Sequence, residues 1–232
     1  TRGDNSTAAF APGDEISILS WNIGYAGLGE ESDFFMDGGK QTRAPSKAIV
    51  EKNMDGIVAT VQSMAADFTF LQEIDAGPST HAYGIEEAGR LRTETQLDSA
   101  HALNYKCAFV PYPIPPIGRV NTGLMTLSTA PIASAERIAL PSPFKWPVSV
   151  ANLKRCLMPV YIDLEGTDAQ LVLVNLHLEA YDDGEGKEAQ TAMLLQLLQD
   201  EYAKGNYVIA GGDFNQSFPD GTDRYPIASG AD

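Results

Sequence analysis

Tyr207-Val-Ile-Ala-Gly-Gly-Asp-Phe-Asn215 is a short apolar run followed by two glycines, an acid and an amide. Residues 208–210 predict a buried strand, and the glycines indicate a place where the chain opens or another group comes close. Because residues i and i+2 of an extended chain point the same way, we expect Asp213 and Asn215 to face one site. This pair suits a metal-bound phosphate, although Asp and Asn are also common in ordinary turns.

A second strand with a polar end lies upstream of this stretch. Residues 169–177 form a long apolar run that ends on His177. A helical pattern from about 184 to 203 follows, with Asp183 as a candidate N-cap, and leads back to the strand that ends at Asp213. This strand-helix-strand unit therefore predicts that His177 and Asp213 lie at the carboxyl end of one sheet.

The first part of the chain has the same organisation. Residues 15–22 predict a strand ending on Asn22, residues 46–65 an amphipathic helix, and residues 67–73 a second strand ending on Glu73. A strand-helix-strand unit places two parallel strands side by side, so we expect Asn22 and Glu73 at one edge of the sheet.

The middle of the chain is less regular. Residues 86–103 carry a weaker helical pattern, which places His101 on a helix, whereas His81 lies in a loop. Neither histidine is assigned a role. Residues 121–128 and the segment from Ile132 onward predict adjacent antiparallel strands.

Carboxylate and amide side chains at strand ends indicate a metal site. Mg²⁺ takes one or two carboxylates and shares the rest of its shell with water and substrate phosphate. We therefore expect Glu73, Asn22 and Asp213 to hold Mg²⁺, with Mn²⁺ as an alternative. Zinc is disfavoured, because the three histidines and two cysteines show no H-E-x-x-H or C-x-x-C spacing.

The remaining polar residues suit hydrolysis of a phosphoester. Such a reaction needs a positioned water and stabilisation of charge on the phosphate oxygens. We expect Asp213 to orient or deprotonate the water, and Asn215 and His177 to donate hydrogen bonds to the phosphate. Arg155 is a candidate fork for a phosphate oxygen, or else an exposed arginine in a surface salt bridge. A phosphate-binding loop of the G-x-x-x-x-G-K-[ST] kind and a G-x-S-x-G serine elbow are both absent from the sequence.

Length and charge limit the architecture and the partners. A chain of 232 residues with 44% hydrophobic content is sufficient for one large α/β domain, which we place at 15–232 after a flexible segment at 1–14. The formal net charge of −15 disfavours wide contact with nucleic acid, so a small molecule or a lipid headgroup is the favoured phosphoester. No apolar run is long enough to span a membrane.

Compartment and cysteine state stay open at this stage. The opening Thr1-Arg-Gly-Asp-Asn-Ser is typical of an exported protein after processing, so we expect an extracellular or cell-envelope location, with the cytoplasm as the alternative. Cys107 and Cys156 lie in apolar surroundings and are either two buried thiols or a pair. The sequence does not indicate an oligomeric state.

Five segments together resemble the endonuclease/exonuclease/phosphatase superfamily of Mg²⁺-dependent hydrolases. In chain order they are Ser20-Trp-Asn22, Leu71-Gln-Glu73, residues 121–132, Asn175-Leu-His177 and Gly212-Asp-Phe-Asn215. The resemblance implies a four-layer α/β sandwich, with two mixed β-sheets flanked by helices and the site across the top of both sheets. It also implies metal ligation by Glu73 near Asn22, water activation by Asp213, phosphate contacts from Asn215 and His177, and an arginine at the position of Arg155.

The sequence departs from the family pattern at its end. Members continue to a last strand with a Ser-Asp-His-x-Pro-like motif, and this chain stops at Asp232 without it. We therefore expect that the C-terminal strand or strands are missing and that the chain is a piece of a longer protein. A general acid or base contributes about 10² to 10⁴ in rate, so these residues alone would be weakly active or inactive.

Two other functions remain possible on sequence alone. The first is an endonuclease acting on DNA or RNA, because the motifs do not choose among phosphoester substrates. The second is a non-catalytic binding domain that retains the fold without its final Asp and His, since fold does not determine function.

Overall fold

The computed structural model describes residues 3–35, 38–142, 154–179 and 185–216. Its elements, in chain order, are β1 (Ile18–Asn22), a 3-10 turn (Gly24–Ala26), α1 (Lys47–Met64), β2 (Phe68–Asp75), α2 (Glu87–Thr95), β3 (Asp98–Val110), β4 (Gly118–Ser128), β5 (Ser134–Ala135), β6 (Ile138–Ala139), β7 (Cys156–Asp163), β8 (Gln170–His177), α3 (Glu185–Ala203) and β9 (Tyr207–Asp213). The predicted N-cap Asp183 lies outside the described residues.

The strands form two mixed sheets. In the first sheet the order is β1-β2-β4-β3, with β1 and β2 parallel and the other neighbours antiparallel. In the second the order is β5-β7-β8-β9, with β6 also on β7, and only β8 and β9 are parallel. The two parallel pairs are those of the predicted strand-helix-strand units, with Asn22 opposite Gln72 and His177 opposite Asp213.

Three apolar clusters separate four layers. The first lies between α1, α2 and the outer face of the first sheet. The second fills the space between the sheets, where Phe68 and Phe70 of β2 meet Val160 of β7 and Leu173 of β8. The third lies between the second sheet and α3, around Leu194. Alternate residues of each inner strand thus enter different layers, and the predicted four-layer α/β sandwich is confirmed.

Helix α1 forms where the sequence predicts it. Ser46 caps the helix, since its hydroxyl accepts a hydrogen bond from the Ile49 N–H at 3.3 Å. The residues that face the sheet recur at three- and four-residue spacings; they are Val50, Met54, Ile57, Val58 and Val61. The helix ends at Met64, and its C-cap Ala65 adopts the left-handed conformation.

The predicted helix over residues 86–103 is wrong in its second half. Helix α2 ends at Thr95, and His101 lies on the 13-residue strand β3, which pairs with β4 along most of its length. The segment is rich in Ser and Ala, whose local preference for strand is weak. Pairing with β4 decides the conformation, because tertiary context overrides such preferences.

The segments after residue 121 are not neighbours. Strand β4 belongs to the first sheet, whereas Ser134 and Ala135 pair with β7 of the second. The prediction of adjacent antiparallel strands is therefore wrong. The break at Pro131 is the point where the chain passes from one sheet to the other.

The predicted burial of residues 208–210 is also wrong. Tyr207 is 50% exposed and Ile209 37% exposed, while Val208 and Ala210 pack toward α3. Among the described residues β9 pairs only with β8, so it forms an edge of the second sheet.

The segment expected to be flexible, residues 1–14, makes defined contacts from Gly3 onward. The Gly3 N–H donates to the Asp98 carboxylate at 2.6 Å, and the Ala8 N–H donates to the Thr129 carbonyl at 2.9 Å. Phe10 enters the cluster between the sheets, with its ring 5.4 Å from that of Phe68. This segment therefore adds to the domain core.

Both cysteines are free thiols, with Cys156 buried and Cys107 partly buried. Burial raises the pKa of Cys156 to about 11, so its thiol is protonated near neutral pH. No helix among the described residues is long and apolar enough to cross a membrane.

Candidate functional site

The ends of β1 and β9 meet through Asn22 and Asp213. The Asn22 amide nitrogen donates to Asp213 Oδ2 at 3.0 Å, and Asn22 Oδ1 accepts from the Gly24 N–H at 3.1 Å. A side chain at Gly212 would come within 2.1 Å of the Leu176 carbonyl oxygen. Gly212 thus allows β9 to lie close to β8, which agrees with the close approach predicted from the sequence. Asp213, the next residue, reaches Asn22 of the first sheet.

The Asp213 carboxylate is held in its ionised form. Partial burial would raise its pKa, but hydrogen bonds from Asn22 and from the Asn215 N–H at 2.9 Å, with the charge of Arg155, bring the pKa below the usual value. Near neutral pH Asp213 is therefore a hydrogen-bond acceptor.

His177 lies beside Asp213 but is not its ionic partner. Its Nε2 is 3.6 Å from Asp213 Oδ2, which is beyond hydrogen-bond distance. Burial, followed by the nearby positive charge of Arg155, lowers the pKa of His177 to about 3, although the Asp213 charge opposes this. The imidazole is therefore neutral near pH 7 and has one N–H to donate.

Arg155 precedes β7 and is 4% exposed. The alternative of an exposed arginine in a surface salt bridge is therefore wrong. Its Nε lies 3.9 Å from Glu179 Oε2, and its charge acts on both His177 and Asp213. Arg155 thus places a buried positive charge behind the site.

Asn215 is positioned by its own backbone. It adopts a positive φ of 49°, which turns its N–H onto Asp213 Oδ1. Its side-chain amide donates to the Leu178 carbonyl at 2.9 Å. Asp213 and Asn215 are therefore brought together as predicted, by a turn rather than by a continued strand.

Glu73 reaches the site from a bulge in β2. Gln72 pairs with Leu124 and Ile74 with Gly123, so the register of β2 against β4 shifts at Glu73, and the φ of Glu73 is 54°. The sequence predicted that this strand ends on Glu73, but β2 continues for two more residues, to Asp75. The bulge re-aims the Glu73 side chain relative to the regular pleat.

Two neighbouring cavities meet at Asn22. One, of about 710 Å³, is lined by residues of the β1 end, the 3-10 turn and α1, together with Glu73. The other, of about 380 Å³, is lined by Asn22, Gln72, Asp213 and Asn215, among others. Glu73 and Asp213, the two carboxylates expected in the site, thus line two cavities that share Asn22.

Sequence reasoning included Asn175 and Gln72 in the quoted segments but did not predict that they support these positions. Asn175 is fully buried, and its amide nitrogen donates to the carbonyls of Met125 at 2.9 Å and Leu71 at 3.3 Å. It also accepts from the Gln72 side chain at 2.9 Å. These bonds join the two sheets two residues before His177. The polar residue inside an otherwise apolar strand was the available signal.

The side chains expected to bind a metal carry the oxygen atoms that magnesium prefers. Glu73, Asp213 and Asn22 offer two carboxylates and an amide oxygen, which suit a hard cation whose shell is completed by water and substrate. In the described part of the chain no three His, Cys, Asp or Glu residues are grouped so that they could hold a metal ion by themselves.

Comparison with known proteins assigns the family. A sequence profile of the endonuclease/exonuclease/phosphatase family matches residues 19–230. The chain belongs to this family. The match spans all the strand ends described above, so the family resemblance of the five sequence segments is confirmed. A search of curated protein sequences found no match.

Solved structures show the same fold. TDP2 from Caenorhabditis elegans is 18% identical with a TM-score of 0.58, over 88% of this chain and 48% of that one. The human Nocturnin catalytic domain with bound sulfate is 16% identical with a TM-score of 0.58, over 100% and 76%. ANGEL2, described as a 2',3'-cyclic phosphatase, is 19% identical with a TM-score of 0.59, over 88% and 53%. The chain spans about half the length of the first of these structures.

Proposed function

We propose that the protein hydrolyses phosphoester bonds with Mg²⁺, as a phosphodiesterase or a phosphatase. The observation that carries this proposal is the hydrogen bond from Asn22 to Asp213 at 3.0 Å, at the point where the cavity lined by Glu73 meets the cavity lined by Asp213. Membership of the endonuclease/exonuclease/phosphatase family supports the reaction class.

Glu73, Asn22 and Asp213 are the residues that would hold Mg²⁺, or Mn²⁺ in its place. A bound divalent ion would supply positive charge to a phosphoryl oxygen and lower the pKa of a water molecule. The amide of Asn22 already orients Asp213, so a carboxylate faces the place where the two cavities adjoin. The protein would thus contribute two carboxylates from adjoining cavities, one of them held by Asn22.

Asp213 is the group that would orient the attacking water and accept its proton. It is ionised because its pKa lies below the usual value, for the reasons given above. Its two oxygens are held by different donors, the Asn22 side chain and the Asn215 N–H. A carboxylate fixed at both oxygens loses little freedom when it receives a hydrogen bond from water.

His177 and Asn215 are the proposed donors to the phosphate. A neutral His177 donates one N–H without repelling a nearby cation, which suits a site that also binds metal. Arg155 stands behind His177 and would stabilise negative charge that develops on the phosphoryl oxygens. Direct contact of its guanidinium with a phosphate oxygen is the further expectation from sequence.

A small phosphoester or a lipid headgroup is the favoured substrate. The net charge of −15 repels an extended polyanion, while a single phosphate group can be held by a metal and a few donors. The two cavities are also of a size that accommodates a small molecule.

A nuclease is the second candidate, because one surface cavity has the required chemistry. This cavity of about 570 Å³ is lined by Arg43 and Arg119 together with the rings of Tyr83 and Phe109. Neither guanidinium takes part in an ion pair among the described residues. Phe109 is 60% exposed, and exposed rings beside arginines are typical of sites that stack the bases of single-stranded nucleic acid.

The proposed hydrolysis is tested with bis(p-nitrophenyl) phosphate and the full-length protein. Mg²⁺-dependent release of p-nitrophenol is expected, and Asp213→Asn should lower kcat by about 10² to 10⁴. Asp163→Asn is the matched control, since Asp163 lies at the opposite end of the second sheet. Equal loss in the two variants would contradict the role of Asp213.

The two alternatives give different results in the same series. Digestion of plasmid DNA or of single-stranded RNA, abolished in Asp213→Asn and weakened in Arg43→Gln, would favour the nuclease. Absence of turnover by the wild-type protein on every phosphoester, with retained binding of Mg²⁺ and a phosphate ligand, would favour a binding domain.

A further inference from the structure

Two buried acidic residues, Asp75 and Glu87, lie next to the segment that carries Glu73. Asp75, two residues further along β2, is fully buried, and its N–H donates to Glu87 Oε2 at 2.9 Å. Glu87 is also fully buried, and burial, followed by the charge of Asp75, raises its pKa well above the usual value. Two buried carboxyl groups thus lie together on the segment that follows Glu73, and a buried carboxyl group needs a polar neighbour.

His81 supplies that neighbour. Its Nε2 lies 2.9 Å from Asp75 Oδ2. Neither His81 Nε2 nor either Asp75 carboxylate oxygen has an aligned hydrogen bond among the described residues. The two side chains nevertheless approach within 2.9 Å of each other, in a contact of polar atoms without hydrogen-bond alignment. His81 is itself fixed, because its carbonyl accepts a hydrogen bond from the Ala44 N–H at 3.0 Å.

His81 also contacts the other wall of the site. Its ring lies 4.6 Å from the ring of Tyr25, which follows Asn22 by three residues. Tyr25 has a φ of 54°, and its pKa is raised well above the usual value by burial and then by the charge of Glu73. One imidazole thus joins the segment after Asn22 to the segment after Glu73.

Both joined segments have backbone conformations that need external support. Glu73 and Tyr25 each have a positive φ, which is unfavourable for residues with a Cβ atom. Such conformations persist where surrounding contacts determine them. His81 provides a contact on each side, through Asp75 and through the Tyr25 ring.

We infer that His81 is a positioning residue that sets the distance between Asn22 and Glu73. Its contact with Asp75 holds the bulge that carries Glu73, and its contact with Tyr25 holds the turn that follows Asn22. His81 touches neither substrate nor the reacting atoms. The inference rests on the proposed function, because it concerns the spacing of the proposed metal ligands.

The test measures metal binding directly, by calorimetric titration of the substrate-free full-length protein with Mn²⁺. His81→Phe keeps a ring against Tyr25 and removes the polar contact with Asp75, so Mn²⁺ should bind about 10- to 100-fold more weakly, as for other residues that support metal ligands. His81→Gln retains a donor of similar reach and should bind within about threefold of the wild type, on the same reasoning. His101→Phe is the matched control and should leave Mn²⁺ binding unchanged.

A double-mutant cycle with Asp75→Asn separates positioning from general structural damage. If His81 acts through Asp75, His81→Phe should have little further effect on Mn²⁺ affinity in the Asp75→Asn background. Additive effects, or wild-type affinity in His81→Phe, would overturn the inference while leaving the proposed function standing. Should His81→Phe fail to fold, weak Mn²⁺ binding by a folded His81→Gln would overturn it. A wild-type protein that binds no divalent metal would overturn both.

Discussion

Glu73 enters the site through a backbone conformation that a residue with a side chain disfavours. Its φ of 54° lies in the left-handed region, which costs about 1–2 kcal/mol for L-residues other than glycine. Glu73 and Asn22 line one cavity, so this conformational cost falls where the chemistry is proposed to occur. We therefore expect the strain at this residue to serve the proposed site.

The strain can be measured with two truncations at position 73. Both Glu73→Ala and Glu73→Gly remove the carboxylate, so they differ only in the Cβ atom. We expect Glu73→Gly to be more stable to unfolding by about 1 kcal/mol, because glycine adopts positive φ without a steric penalty. Urea denaturation in the presence of a chelator provides the comparison. A more stable alanine variant would show that the bulge is not strained in solution.

Metal affinity should depend on charge more than on hydrogen bonding. Glu73→Gln removes a negative ligand, whereas His177 is neutral near pH 7, since its pKa is about 3. We therefore expect Glu73→Gln to weaken Mg²⁺ binding more than His177→Ala does, and His177→Ala to lower turnover instead. Mg²⁺ titrations of activity and of binding measure the two effects separately. Equal metal affinities in the two variants would contradict the assigned roles.

Register shifts in β2 and β3 lie opposite the same residue of β4, Gly123. Gly123 of β4 pairs with Ile74 of β2 and with Leu103 of β3, next to the register shift in each strand. A Cβ atom at this position would lie 1.9 Å from the Ala102 carbonyl oxygen. The close approach of β3 to β4 thus depends on the absence of a side chain at Gly123, opposite the residue that follows Glu73 in β2.

A pair of glycine substitutions should therefore have opposite effects. Gly123→Ala is expected to destabilise the fold by about 1–3 kcal/mol or more, because backbone must move to relieve the clash. Gly56→Ala, in helix α1 where a Cβ atom would meet nothing within 4 Å, should stabilise it by about 0.5–1 kcal/mol. Thermal and urea denaturation measure both. A neutral Gly123→Ala would show that β3 and β4 can separate at this point without cost.

The elements that sequence predicts well are those with a strong period and a polar end. Helix α1 and the strands ending at Asn22, His177 and Asp213 follow from apolar spacing and from the carboxyl-end rule for open sheets. The bulge at Glu73 and the contacts of His81 with Asp75 and Tyr25 could not be predicted from these patterns. Both depend on which strand pairs with which, and local sequence does not determine that pairing.

Burial was harder to predict than conformation. The stretch 208–210 has the composition of a central strand, but in the described residues β9 has one strand neighbour and keeps Ile209 exposed. Arg155 shows the reverse, since a charged residue at a strand start gave no indication that it would be buried. Position in the sheet, and not residue type, decides exposure in both cases.

At the scale of the whole molecule, the charge of the surface opposes the charge of the proposed substrate. With 31 acidic and 16 basic residues, the chain carries a formal charge of −15. An anionic phosphoester would therefore approach against the average field, and we expect it to be held where Mg²⁺ or a local cation such as Arg155 changes the sign of the potential. Salt screens the long-range repulsion by the acidic surface more than the short-range contacts in the site, so the salt dependence of the kinetics distinguishes the two effects.

Ionic strength should raise the rate of association with an anionic substrate. The Debye length falls from about 30 Å at 0.01 M to about 8 Å at 0.15 M salt, so the repulsion is screened while short-range contacts persist. We therefore expect kcat/KM for bis(p-nitrophenyl) phosphate to rise by a few-fold over this range at a fixed concentration of free Mg²⁺, with kcat nearly constant. Potassium chloride and sodium chloride should give the same curve, which excludes binding of a particular ion. A fall in kcat/KM with salt is what binding through released counterions produces, and it would mean that the cavity of Arg43 and Arg119, not the average surface, controls the approach of substrate.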